Sequence, residues 1–139
     1  MARCYWLIKS EPGTYPWSRF VEDGVTLWDG VRNFEARNNL RAMKLGDFAL
    51  FYHSNEGKEF VGVARVVRTA YQDPTTEEDW SAVDFQVVRP LVRPLKLAEI
   101  RADAPLSNMA LLKRSRLSVA PLTAPEFRRV LKLAQTSLD

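Results

Sequence analysis

The stretch Phe48-Ala49-Leu50-Phe51-Tyr52-His53, followed by Ser54-Asn55-Glu56-Gly57-Lys58-Glu59 and then by the apolar run 60–70, decides the fold. Its first six residues are continuously apolar up to the histidine, as in a strand buried on both faces. The middle six have turn composition, and the run after them is again strand-like, so the whole reads as an antiparallel hairpin. On the N-terminal side, Cys4-Tyr5-Trp6-Leu7-Ile8-Lys9 is an aromatic-rich strand ending in the turn Ser10-Glu11-Pro12-Gly13. Residues 15–22 suit a short helix opened by Pro16 and Trp17 and stopped before Gly24, and Val25-Thr26-Leu27-Trp28 is a short apolar stretch broken at Asp29-Gly30. Residues 33–43 read as a helix with Arg37 and Arg41 on one face. On the C-terminal side, residues 80–89 and 91–95 give one or two more strands, with Pro90 and Pro94 marking breaks or an edge. Short helices are expected at 97–100 and 107–113, and a last strand at Arg116-Leu117-Ser118-Val119. The capping box Thr123-Ala124-Pro125-Glu126 starts a final helix through Leu133. Regular strand–helix alternation is missing. The pattern predicts an α+β domain: a small, mostly antiparallel β-barrel with peripheral short helices, in which the first strand lies inside the sheet.

At 139 residues the chain is expected to form one domain, and its 46% hydrophobic and 27% charged composition excludes extensive disorder. One cysteine and one histidine leave no disulfide framework and no multi-ligand metal centre, which fits a reducing compartment, cytoplasmic or nuclear. No apolar run reaches the ~20 residues that cross a bilayer, so no membrane partner is expected, and the start lacks a signal-peptide core. Net charge is +3, but it is unevenly spread. Residues 1–85 carry 10 Lys/Arg against 13 Asp/Glu, whereas residues 86–139 carry 10 against 4. The C-terminal part is thus a candidate electropositive face, or an ordinary solvated surface.

Enzyme signatures are scarce: no dinucleotide fingerprint, phosphate loop or zinc-protease motif occurs. His53 and Ser54 are adjacent on a strand and so point to opposite faces, a poor base–nucleophile pair. Residues 73–79 read as an acidic loop; Cys4 is expected to be buried and inert, and Glu77, Glu78 and Asp79 to be solvated. The aromatic residues carry more. Tyr15-Pro16-Trp17 and Trp28-Asp29-Gly30 place flat rings beside turns and polar groups, as a base-binding pocket requires. Gly30 allows a tight turn, Arg32 suits a phosphate or a salt bridge, and Asn33 can donate and accept.

Taken in order, Tyr5-Trp6-Leu7-Ile8-Lys9-Ser10-Glu11-Pro12, Trp28-Asp29-Gly30-Val31-Arg32-Asn33, Asn38, Met43, Gly46-Asp47, Phe51-Tyr52-His53-Ser54-Asn55 and Arg116-Leu117-Ser118-Val119 resemble the EVE domain from about residue 4 to 133. One departure is Phe34, where that family often has Tyr, which removes a hydroxyl near the site. The resemblance implies a PUA-like fold, whose relatives include the YTH domain with its aromatic cage for a methylated base. It implies a non-catalytic reader of nucleic acid carrying a modified base, chiefly modified cytosine in DNA, with modified RNA as the alternative. Carried over, the base pocket comprises Ser10, Glu11, Trp28, Asn33, Tyr52, His53 and Ser54. The phosphate contacts are Arg32, Arg37, Arg41, Lys113, Arg114 and Arg116. No metal, cofactor or catalytic residue is implied. Three structural alternatives stand beside these roles: Arg116 as ion-pair partner of Asp47 or Asp29, one of Tyr52 and His53 as plain core, and Trp28 as core. The rival functions are a small hydrolase using Lys9, Glu11 and His53, and a binder of a free nucleotide or metabolite.

Overall fold

The computed structural model describes residues 4–138. The hairpin at its centre is β3 (Phe48–His53) and β4 (Glu59–Gln72), paired antiparallel with Phe51 opposite Gly62. Ala49, Leu50, Phe51 and Tyr52 are all buried, so both faces of β3 are covered, as its unbroken apolar run requires. β1 (Tyr5–Ser10) runs parallel to β3 and antiparallel to β6 (Val119–Leu122), which places it inside the sheet as expected. β5 (Ser81–Lys96) pairs with β4, and β2 (Val25–Trp28) pairs with the first part of β5. The order is β2-β5-β4-β3-β1-β6. The architecture is α+β and mostly antiparallel. The barrel is not closed, however, because the end strands β2 and β6 do not pair with each other.

Of the alternatives open for residues 80–96, one strand forms rather than two, and Pro90 and Pro94 mark an edge rather than breaks. They lie beyond Gln86, where pairing with β2 has ended, so no ladder donor is needed on that side. The last strand starts at Val119 rather than Arg116 and contains Pro121, which an end strand tolerates. Residues 114–117 form a turn instead, with the Leu117 N–H donating to Arg114 O at 3.0 Å. Cys4, expected to be buried, is exposed just before β1.

Helices cover the sheet. α1 (Trp17–Asp23) follows Pro16 and ends at Gly24, whose φ of 74° suits glycine. α2 (Phe34–Ala42) is capped by Asn33, whose side chain accepts the Ala36 N–H at 2.9 Å. α3 (Leu97–Ala102), a single 3-10 turn (Ala104–Leu106) and α4 (Ala110–Lys113) follow β5. α5 (Ala124–Leu133) carries the expected capping box between Thr123 and Glu126 and buries Phe127 and Val130.

Two contacts dock α1 on the central hairpin. The Trp17 indole lies flat against the backbone of Gly62, where an added Cβ would come within 2.3 Å of ring carbons. The Trp17 N–H, one of the donors a helix start leaves unpaired, is accepted by His53 Nε2 at 3.0 Å. Gly62→Ala is therefore expected to push α1 outward and cost about 1–3 kcal/mol of stability in denaturant unfolding; an unchanged midpoint would show that the ring yields freely. Burial holds the His53 imidazole below its ordinary value, against the opposing pull of Glu59. The unfolded chain then takes up the proton first as pH falls. Stability is expected to be full above about pH 6.5 and to decline as pH drops through that value. Thermal melts between pH 7.5 and 5.5 check this, with His53→Gln, which keeps an acceptor, flattening the dependence.

Candidate functional site

A cavity of about 800 Å³ lies between the end of β1 and β2, two strands that do not pair with each other. One wall is the end of β1, with Lys9, Ser10 and Glu11, together with Ser118 just before β6. The opposite wall is β2 and the loop after it, from Thr26 to Asn33, and Thr14 and Tyr15 complete the rim. The outer side of β6 does not reach the cavity; it is met by α2, whose Asn39 amide donates to Val119 O at 2.7 Å.

Of the seven expected pocket residues, Ser10, Glu11, Trp28 and Asn33 line this cavity. Trp28 is half-buried. Its ring stands nearly perpendicular to those of Tyr15, Phe51 and Phe85, at centroid distances of 6.5, 5.7 and 5.7 Å. It is packed against the core on one side and borders the cavity on the other, so neither of its two expected roles excludes the other. Asn33 Oδ1 is occupied by the helix cap, which leaves its amide N–H groups as what it can offer a ligand. The Ser10 hydroxyl donates to Tyr15 O at 2.6 Å, tying the β1 end to the rim. The Lys9 ammonium donates to Ser115 O at 2.9 Å, and burial pushes it below its ordinary value.

Tyr52, His53 and Ser54 lie apart from the cavity. Tyr52 is buried against Phe60 with rings at 5.2 Å, His53 is the acceptor for α1, and the Ser54 backbone N–H donates to Ser10 O at 2.9 Å. The hairpin end supports the pocket from behind because the β3–β4 bulge between Phe51 and Tyr52 and the docking of α1 enclose it. Lys9, Glu11 and His53 share no hydrogen bond, so the hydrolase reading finds no assembled dyad among them. Among the described residues no cluster of His, Cys, Asp or Glu could hold a metal ion.

Most of the expected cationic contacts are already paired. Arg32 meets Asp73 at 3.0 Å; Arg37 and Arg41, on one face of α2 as expected, both meet Asp79, at 3.5 and 2.6 Å; Arg114 forms a two-pronged ion pair with Glu35. Lys113 and Arg116 are exposed and carry no ion pair among the described residues. Arg116 does not bind Asp47, whose carboxylate accepts from Trp6 Nε1, the Cys4 N–H and the Lys44 N–H. Arg114, Ser115, Arg116, Leu117 and Asn33 line a smaller cleft of about 240 Å³ that shares Asn33 with the main cavity.

The EVE domain family model matches residues 4–133. The chain belongs to the EVE domain family. It is 40% identical to human thymocyte nuclear protein 1, over 94% of this chain and 74% of that protein. Among solved structures, a Rhodopseudomonas palustris protein studied by NMR superposes with a TM-score of 0.91 at 46% identity, covering 95% of this chain and 93% of that one. The human THYN1 protein, in complex with DNA containing 5-methylcytosine, superposes with a TM-score of 0.87 at 39% identity, covering 96% and 99%. The fold is thus the PUA-like one that the resemblance implied, in a form whose barrel stays open.

In this EVE domain, the residue that holds the cavity wall is one the sequence did not single out. Asp73 opens the acidic loop over residues 73–79 and is completely buried. Its carboxylate accepts the Gly30 N–H at 2.9 Å, the Arg32 guanidinium at 3.0 Å and the Thr75 N–H at 2.8 Å, together with the Thr75 hydroxyl. Burial alone would raise its pKa, but these donors outweigh that and hold it well below the usual carboxylate range. The legible signal was Asp73-Pro74-Thr75, in which an aspartate two residues before a threonine suits a local side-chain turn. Asp73→Asn would turn an amide N–H toward these donors. It is expected to cost about 1.5–3 kcal/mol and to speed hydrogen exchange at the Gly30 N–H. Unchanged exchange there would mean the loop is held by something else.

Proposed function

We propose that this EVE domain is a single-domain, non-catalytic reader that holds one modified base of a nucleic acid in the cavity between β1 and β2. The observation that carries this is the cavity itself. It combines a half-buried indole, the free amide N–H groups of Asn33, the hydroxyl of Ser10 and the cation of Lys9 between β1 and β2. Stacking supplies affinity that tolerates base identity, and the polar groups read the base edge. An unpaired or flipped base fits this geometry, and flipping costs least where pairing is already weak. The complex of the related human protein with 5-methylcytosine DNA supports modified cytosine as the finer assignment. Arg116, an unpaired cation in the cleft that shares Asn33 with the cavity, and Lys113, three residues before it, would take the backbone phosphates. Ser10 and Glu11 would shape the entrance, and Arg32, Arg37, Arg41 and Arg114 would meet phosphate only by exchanging their present acidic partners.

Binding of oligonucleotides with and without one 5-methylcytosine, at two salt concentrations, tests this. Trp28→Ala is expected to weaken binding of the methylated oligonucleotide by ~1–3 kcal/mol, beyond what Trp28→Phe does, with folding checked on the same samples because Trp28 also packs on Phe51 and Phe85. Asn33→Asp keeps the helix cap but removes the amide donors, and is expected to reduce discrimination between bases. Arg116→Ala should lower the salt slope by about one. Intact affinity in folded Trp28→Ala, or turnover of any substrate, would overturn the reading.

A further inference from the structure

Beside the cavity the protein displays a second aromatic surface that the pocket does not use. Phe34, the first residue of α2, is 66% exposed and is the only aromatic among the large exposed hydrophobic residues described. Its ring stacks on that of Trp80 at 5.2 Å with an interplanar angle of 21°. Arg37 places its guanidinium 5.0 Å from the Phe34 centroid and 5.6 Å from that of Trp80, and Arg32 sits 5.5 Å from Trp80. Asp79 positions the first of these arginines and Asp73 the second.

This surface is not needed to close the fold at that point. The start of α2 is already capped by Asn33, and residue 79 is already tied to α2 by Arg37 and Arg41. The stack covers one face of Phe34 with the Trp80 ring and leaves two-thirds of the residue in water. It is also continuous with the cavity by two routes. Asn33, which lines the cavity, is the residue before Phe34, and Arg32, which lines it too, reaches across to Trp80.

We propose that Phe34, backed by Trp80, is a stacking platform for the base next to the one held in the cavity, on a single-stranded or locally opened strand. This rests on the reading of the cavity as a base pocket. A flat ring edged by guanidinium groups suits a nucleobase, whose π-face stacks on the ring while its attached phosphate is drawn to the cations.

The probes are a short single-stranded oligodeoxynucleotide with a central 5-methylcytosine, the same strand with an abasic residue in place of either neighbour, and free 5-methyl-2′-deoxycytidine. In the full chain, Phe34→Ala is expected to weaken the intact oligonucleotide about tenfold and to leave the free nucleoside unchanged. Phe34→Tyr should bind like the natural chain, and Phe34→Leu, which is apolar but not flat, like Phe34→Ala. An abasic residue on one side should weaken the natural protein about tenfold and add no further loss in Phe34→Ala, since the two changes remove the same contact. Unchanged oligonucleotide binding by Phe34→Ala overturns the platform. So do equal losses on nucleoside and oligonucleotide, or independent effects of the abasic residue and the substitution. If the natural chain binds methylated and unmethylated strands alike, the base-pocket reading fails, while the abasic cycle still decides the platform.

Discussion

β1 and β2 do not pair with each other, and the cavity lies between the end of the one and the segment that follows the other. That missing pairing is the constraint on which the site depends. A closed barrel of this size would fill its seam with ladder hydrogen bonds and side chains, leaving no room for a ligand. An open seam instead leaves polar backbone and side-chain groups beside an apolar core edge, which is the composition of a small-ligand site. The seam must still be held apart at a defined width. Asp73 does this from outside the sheet, by anchoring Gly30 and Arg32 so that the segment after β2 cannot fold into the gap.

The residues at the cavity carry structural work and prospective binding work at once. Trp28 wedges between Tyr15, Phe51 and Phe85, and Asn33 caps α2 with one end of its amide while its other end is free. Such sharing makes the site stiff, since the groups that would meet a ligand are locked by packing and capping before it arrives. It also couples stability to binding, so substitutions that spare the structural half of each role are the informative ones.

Charge is distributed in the same shared way. The excess of cations after residue 86 does not form a uniform basic face, because Arg93 pairs with Glu99, Arg129 with Asp103 and Arg114 with Glu35. What remains near the cavity is the unmatched cation of Arg116, in the cleft that shares Asn33 with it, with Lys113 just before the same turn. Exposed ion pairs are individually weak, so a polyanion could replace the carboxylate partners at small cost.

The elements were legible from local pattern. The apolar run of β3, the turn after it, the helix over 33–43 and the capping box at Thr123 depend on neighbours within a few residues, and that information is written along the chain. The motifs from Tyr5 to Pro12 and from Trp28 to Asn33 marked the residues of both cavity walls. The sequence could not show that Tyr52, His53 and Ser54 turn away from the cavity, because a bulge and the docking of α1 on Gly62 set their direction. Nor could it show that Asp73, 43 residues from Gly30, is buried beneath the cavity wall, or that Arg37 and Arg41 spend their charge on Asp79. Local sequence sets which groups are present and how each segment folds. Which carboxylate neutralises which cation, and which ring meets open space, depends on contacts between distant segments, and only the packed sheet decides those.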